Sequence, residues 1–135
     1  MLKGIDPRLS PNLLRDLATT GHLDSVLLVD SNFPILRVNC PVHYVPLTAT
    51  EVLRMILGVL PVETEAPDAI SVRSDATLDT SRSIVREFEP DFRDFVKPEP
   101  FDFLGEAVRA SVAIVSADTF PACYLIRRGV VTLPV

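Results

Sequence analysis

Gly21-His22-Leu23-Asp24-Ser25-Val26-Leu27-Leu28-Val29-Asp30 is the stretch on which the fold turns. Residues 25–30 form an almost unbroken aliphatic, β-branched run, which is the pattern of a strand covered on both faces. A strand buried on both sides needs helices above and below it. Just upstream, Ser10-Pro11 opens a helix: the serine hydroxyl can accept from an orphan N–H, and proline at the first helical position loses no hydrogen bond. Leu13, Leu14 and Leu17 mark its apolar face and Gly21 ends it, so the spacing predicts a helix over 11–20.

Downstream, Asn32-Phe33-Pro34 makes a turn, and 42–45 reads as a strand. Thr48-Ala49-Thr50-Glu51 is a capping box, followed at helical spacing by Val52, Met55, Ile56 and Val59, which predicts a helix over 49–60. A strand at 69–73 and a helix at 80–88 with Ile84, Val85 and Phe88 inward come next. The last third gives a helix at 101–110, strands at 112–116 and 123–126, and a short terminal strand after Gly129. Strands alternating with helices predict an α/β layered fold, and 135 residues that are 47% hydrophobic make one domain over 1–135 with a substantial core. The charged stretch 75–100 is the expected excursion from that core.

Several function classes are disfavoured. The net charge is −5 and the 13 basic residues are scattered, so nucleic acid is not an expected partner. No apolar run reaches the ~20 residues of a membrane span, and no secretory leader opens the chain, which points to a cytoplasmic protein. Cys40 and Cys123 are expected as free thiols, and with two histidines at no paired short spacing they make no metal site. A Gly-rich phosphate loop and a Gly-x-Ser-x-Gly elbow are both missing.

The chemistry-bearing residues are His22 and Asp30, at the end of a helix and the end of a buried strand. A helix C-terminus and a nearby carboxylate both favour imidazolium, so His22 suits proton transfer near neutral pH, provided the two groups are close. The alternative is that His22 caps helix carbonyls and Asp30 nucleates the turn. Asp24 is either a working acid or a solvated loop residue, and His43 fits a structural or surface position.

Met1-Leu-Lys-Gly-Ile-Asp-Pro, Ser10-Pro11-x-Leu-Leu, Gly21-His22-x-Asp24 and Asp30-x-Asn32-Phe33-Pro34, in that order, resemble the N-terminal signature of the RbsD/FucU family, on its fucose mutarotase branch. The likeness continues through Thr48-Ala-Thr-Glu-Val-Leu, Leu60-Pro61-Val62, the segment beginning Phe101-Asp-Phe-Leu, and Arg127-Arg128-Gly129-Val130. It implies a three-layer αβα domain, no cofactor, and a homo-oligomeric ring, commonly a decamer, with a monosaccharide of the fucose or ribose class bound at a subunit boundary. It implies an isomerase that interconverts sugar anomers or ring forms through the open-chain aldehyde, with His22 as general acid–base residue and Asp30 on sugar hydroxyls.

The chain departs from the family pattern at two places. Pro100 stands where an arginine or histidine usually precedes the helix, and proline donates nothing. The usual Tyr-Gly-Asn or Tyr-Ala-Asn step is replaced by Phe120-Pro121-Ala122-Cys123-Tyr124, one residue shorter, which leaves Cys123 and Tyr124 as the substrate-binding candidates there. A non-catalytic sugar-binding or structural ring subunit is the alternative implied by that altered clamp.

Overall fold

A computed structural model describes residues 1–74 and 78–133. Helix α1, Pro11–Thr19, starts as expected, with the Ser10 hydroxyl accepting from the Leu13 N–H. Strand β1, Ser25–Val29, follows and is buried along its whole length. After a 3-10 turn at Ile35–Arg37 come β2, Val42–Tyr44, and helix α2, Ala49–Leu57. Both halves of the Thr48–Glu51 capping box form, an arrangement in which the N-cap alone is worth about 1 kcal/mol. Strand β3 is Ile70–Ser74, helix α3 Asp79–Phe88, helix α4 Pro100–Ala107, strand β4 Val112–Val115 and strand β5 Ala122–Arg127.

The five strands lie in the order β2-β4-β1-β5-β3. β2, β4 and β1 are mutually parallel, β5 runs against β1, and β3 runs against β5, so β5 alone is reversed. Alternation along the strands separates two cores. Val26, Leu28, Val72, Tyr124 and Ile126 face α1, α2 and α3, while Leu27, Val29, Cys123 and Leu125 face α4 through Phe103 and Ala107. Helices on both faces of one sheet make the expected three layers.

Three sequence expectations change. The stretch 75–100 does not leave the core: Leu78, Ile84, Val85 and Phe92 are buried, and Val96 bridges to Ser71 at the sheet edge. Its charges mislead because α3 is strongly amphipathic and keeps them on one side; residues 75–77 lie outside the described residues. Phe88 is only partly covered, at 38% exposed, since it closes the last turn of α3 beyond the buried pair Ile84 and Val85. No strand follows Gly129 among the described residues. Arg128 makes a single bridge to Val62, and residues 129–133 run free of the sheet.

Candidate functional site

In a sheet with parallel strands, ligand crevices form beyond the carboxyl ends of the strands. Here that end gathers the exit of β1, the exit of β4, the last residues of β3 and the first of β5. Asp30, directly after β1, is only 5% exposed. Its Oδ1 accepts from the Asn32 N–H at 2.8 Å, and its Oδ2 accepts from the Ala122 N–H at 3.1 Å and the Cys123 thiol at 3.3 Å. The turn after Asp30 is stitched to the loop after β4: the Ser31 N–H donates to the Asp118 carbonyl at 2.8 Å and the Asn32 amide donates to the Thr119 carbonyl at 2.9 Å.

These segments enclose an open cavity of about 200 Å³ lined by Asp30, Asn32, Phe33, Pro34, Arg73, Thr119, Pro121 and Cys123. A second cavity of about 190 Å³ shares Phe33, Pro34 and Arg73 with it and adds Pro100, Phe101, Phe103 and Leu104. A carboxylate offers about four acceptor positions. Asp30 has committed three of them to its own chain and keeps capacity for one more donor. Phe120 does not plug the cavity; it stands 77% exposed outside it.

Cys123 lies in this wall, with its thiol pushed up to about 12 by burial, and it serves as a donor to Asp30 in its protonated state. Tyr124 is placed elsewhere. Neighbours along a strand point to opposite faces, so with Cys123 toward the cavity, Tyr124 enters the other core, edge-to-face with Phe95 at 6.0 Å between ring centres. Burial raises the pKa of its phenol.

His22 belongs to a separate cluster at the opposite end of β1. The turn around it is fastened to the exit of β5: the Leu23 N–H donates to the Arg128 carbonyl at 2.9 Å and the Arg128 N–H donates to the Asp24 carbonyl at 2.8 Å. The Asp24 carboxylate accepts from the Gly21 N–H at 2.7 Å, which locks the loop. Leu23 takes a φ of 71°, the left-handed region that costs an L-residue about 1–2 kcal/mol. On the other side of the same strand exit, the Glu63 N–H donates to the Arg127 carbonyl at 2.9 Å. Residue 129 must be glycine there, because a Cβ would lie 2.7 Å from the Val62 carbonyl oxygen.

The result is that the His22 Nε2 bonds the Glu63 carboxylate, with the imidazole about half exposed. Sequence reasoning missed Glu63, which is 41 residues from His22 and carries no local signal. It also missed Arg73, which a strand reading places only as one alternating position.

His22 and Asp30 are not brought together within one chain. The five residues of β1 between them span about 16 Å. His43 is structural in position: its Nε2 bonds Asp16 of α1 at 2.6 Å, holding the edge strand β2 against the helix layer. Among the described residues no group of three or more His, Cys, Asp or Glu side chains could hold a metal ion, and no helix is long and apolar enough to cross a membrane.

Comparison with known proteins gives a consistent set of likenesses. Residues 3–131 match a model of the RbsD / FucU transport protein family. The chain is 31% identical to the fucose mutarotase of Homo sapiens, over 98% of this chain and 96% of that one. The crystal structure of FucU from Bifidobacterium longum superimposes with a TM-score of 0.88 at 27% identity, covering 96% of this chain and all 100% of the other. The fold alone is shared with the Streptococcus pneumoniae fucose mutarotase solved in complex with L-fucose, with a TM-score of 0.80 at 24% identity and coverage of 97% and 100%.

Proposed function

The chain belongs to the RbsD/FucU family, and from that membership and its own geometry we propose that it is a cofactor-independent monosaccharide mutarotase. It acts on an L-fucose-like sugar at a site shared between two copies. The observation that carries this reading is the separation of the two polar centres. An open cavity with a spare acceptor on Asp30 lies at one end of β1, and a half-exposed histidine–carboxylate pair lies at the other.

Mutarotation needs two coupled proton movements. A base takes the proton of the anomeric hydroxyl while an acid protonates the ring oxygen. The bond from the anomeric carbon to the ring oxygen breaks, giving the open-chain aldehyde, and reclosure on either face reverses both transfers. His22 has the chemistry for this exchange. With its Nε2–H donated to Glu63, the imidazole is held in one tautomer and Nδ1 is left as the acceptor. Asp30 receives a sugar hydroxyl on its fourth acceptor position, and Cys123 supports the wall by its bond to Asp30.

Because β1 keeps His22 and Asp30 of one chain apart, His22 of one copy is assigned to the Asp30 cavity of its neighbour. Leu36 and Phe101, 98% and 89% exposed, are available for burial between copies. Tyr124 acts at a distance in this reading, by packing behind Cys123 and not by touching sugar.

Complementation tests both parts. His22→Ala and Asp30→Asn proteins are each expected to lose saturation-transfer exchange at the anomeric protons of L-fucose. After unfolding and reassembly at equal amounts, about a quarter of shared sites regain both residues, and exchange should return to about that fraction. Failure of wild type to accelerate any aldose tried, neutral or anionic, rejects the mutarotase and favours a binding or structural subunit. Activity in wild type with no recovery on mixing rejects the shared site alone.

A further inference from the structure

Arg73 is the fourth residue of β3 and is exposed. Its guanidinium has no hydrogen-bond or ion-pair partner among the described residues. Antiparallel register sets Arg73 opposite Cys123, and residues opposed in this way leave the same face of the sheet. The guanidinium therefore emerges beside the Asp30–Cys123 pair, where it lines both the cavity at Asp30 and the apolar groove of Pro100, Phe101 and Leu104. The chain thus has no cationic side chain at position 100 but does have one on β3, reaching the same neighbourhood from the sheet side.

We propose that Arg73 pairs with an anionic group on the sugar, so that this site prefers aldoses carrying a carboxylate or phosphate to neutral ones such as L-fucose. The inference rests on the mutarotase reading above and narrows its substrate class. A guanidinium fork binds carboxylate or phosphate through two parallel N–H bonds, and a neutral hydroxyl gives up the charge assistance. The surroundings divide the ligand. Asp30 has acceptor capacity and repels anions, so it takes the hydroxyl end; the apolar groove gives an anion no other partner, so the charged end goes to Arg73. A neutral sugar forgoes that pairing while the exposed guanidinium stays solvated, so the preference comes from the ion pair itself.

The test measures saturation-transfer exchange at neutral pH and low salt for D-galacturonate, D-glucuronate, D-glucose 6-phosphate and L-fucose. It compares wild type, Arg73→Gln and Arg73→Lys. The expected result is exchange about tenfold faster for at least one anionic aldose than for L-fucose in wild type. That ratio should fall toward one in Arg73→Gln, stay intermediate in Arg73→Lys, and shrink with added salt. The uronate and phosphate arms tell the two anions apart. A wild-type ratio near one, or a ratio that survives Arg73→Gln, overturns the inference and leaves the mutarotase reading standing. No acceleration of any of the four sugars overturns both. Thermal melting of Arg73→Gln at the wild-type temperature confirms that the variant is folded, as expected for an exposed side chain.

Discussion

Asp30→Asn should destabilise the fold by about 2 kcal/mol, independently of any effect on sugars. The carboxylate is the joint between the end of β1 and the start of β5, with Oδ1 on the Asn32 N–H and Oδ2 on the Ala122 N–H and the Cys123 thiol. An amide has one oxygen. If it stays on Asn32, the new NH2 group faces two donors; if it turns to Ala122, the Asn32 N–H is left unpaired. Either orientation loses at least one buried bond to a charged acceptor, worth about 1.5–3 kcal/mol, and weakens the bond it keeps. Removing a buried charge returns part of this, which brings the net to about 2 kcal/mol. For a chain of this length the midpoint of thermal unfolding should fall by roughly 6–10 °C, and the urea midpoint by about 1 M with unchanged slope. A loss below about 0.5 kcal/mol would mean that water satisfies the two N–H groups as well as the carboxylate does, and Asp30 would then be a free ligand-binding group, not a joint.

Cys123 should resist Ellman's reagent at pH 8 in the native protein, because its thiol is pushed up to about 12 by burial and only thiolate attacks. Both cysteines should react after unfolding in urea; two fast thiols in the native state would contradict the buried contact with Asp30. The Asp16–His43 clasp gives an acid-limb signature. The hydrogen bond from His43 holds the Asp16 carboxyl below the usual carboxylate range. A depressed folded pKa contributes stability above the unfolded value near ~3.9 and loses it as pH falls through the folded value. Wild type should therefore exceed His43→Gln in stability at about pH 5, with the gap closing toward about pH 2. Parallel acid limbs for the two proteins would remove the clasp from the account.

Local signals carry most of the fold. The caps of α1 and α2 depend on residues within three positions of one another, Ser10 with Leu13 and Thr48 with Glu51, so the sequence displays both partners at once. The run from Ser25 to Val29 announces its own burial in the same way. The candidate site depends on contacts that no window contains. Asp30 meets Ala122 and Cys123 across more than 90 positions, and His22 meets Glu63 across 41. The face on which a strand residue emerges is equally hidden until register is known, which is why Tyr124 passes for a site residue in the sequence and Arg73 does not. Charge density is the weakest guide. Residues 78–100 look like a surface excursion although Leu78, Ile84, Val85 and Phe92 are packed in the core, because an amphipathic helix of mean polarity still buries one stripe.

The distance between His22 and Asp30 is set by a strand and not by a loop. β1 is hydrogen-bonded to β4 on one side and β5 on the other, so it can neither shorten nor bend to bring its ends together. A hinge or lid within the chain would also have to release the 21–24 turn from Arg128, or the Asn32 turn from Thr119, and both are fixed by backbone or side-chain bonds. On the proposed chemistry, intramolecular closure therefore cannot assemble the site, and association has to. Oligomerisation then becomes a catalytic requirement as well as a way to cover Leu36 and Phe101. Substitutions far from either polar centre that weaken contacts between copies would remove exchange while leaving each chain folded.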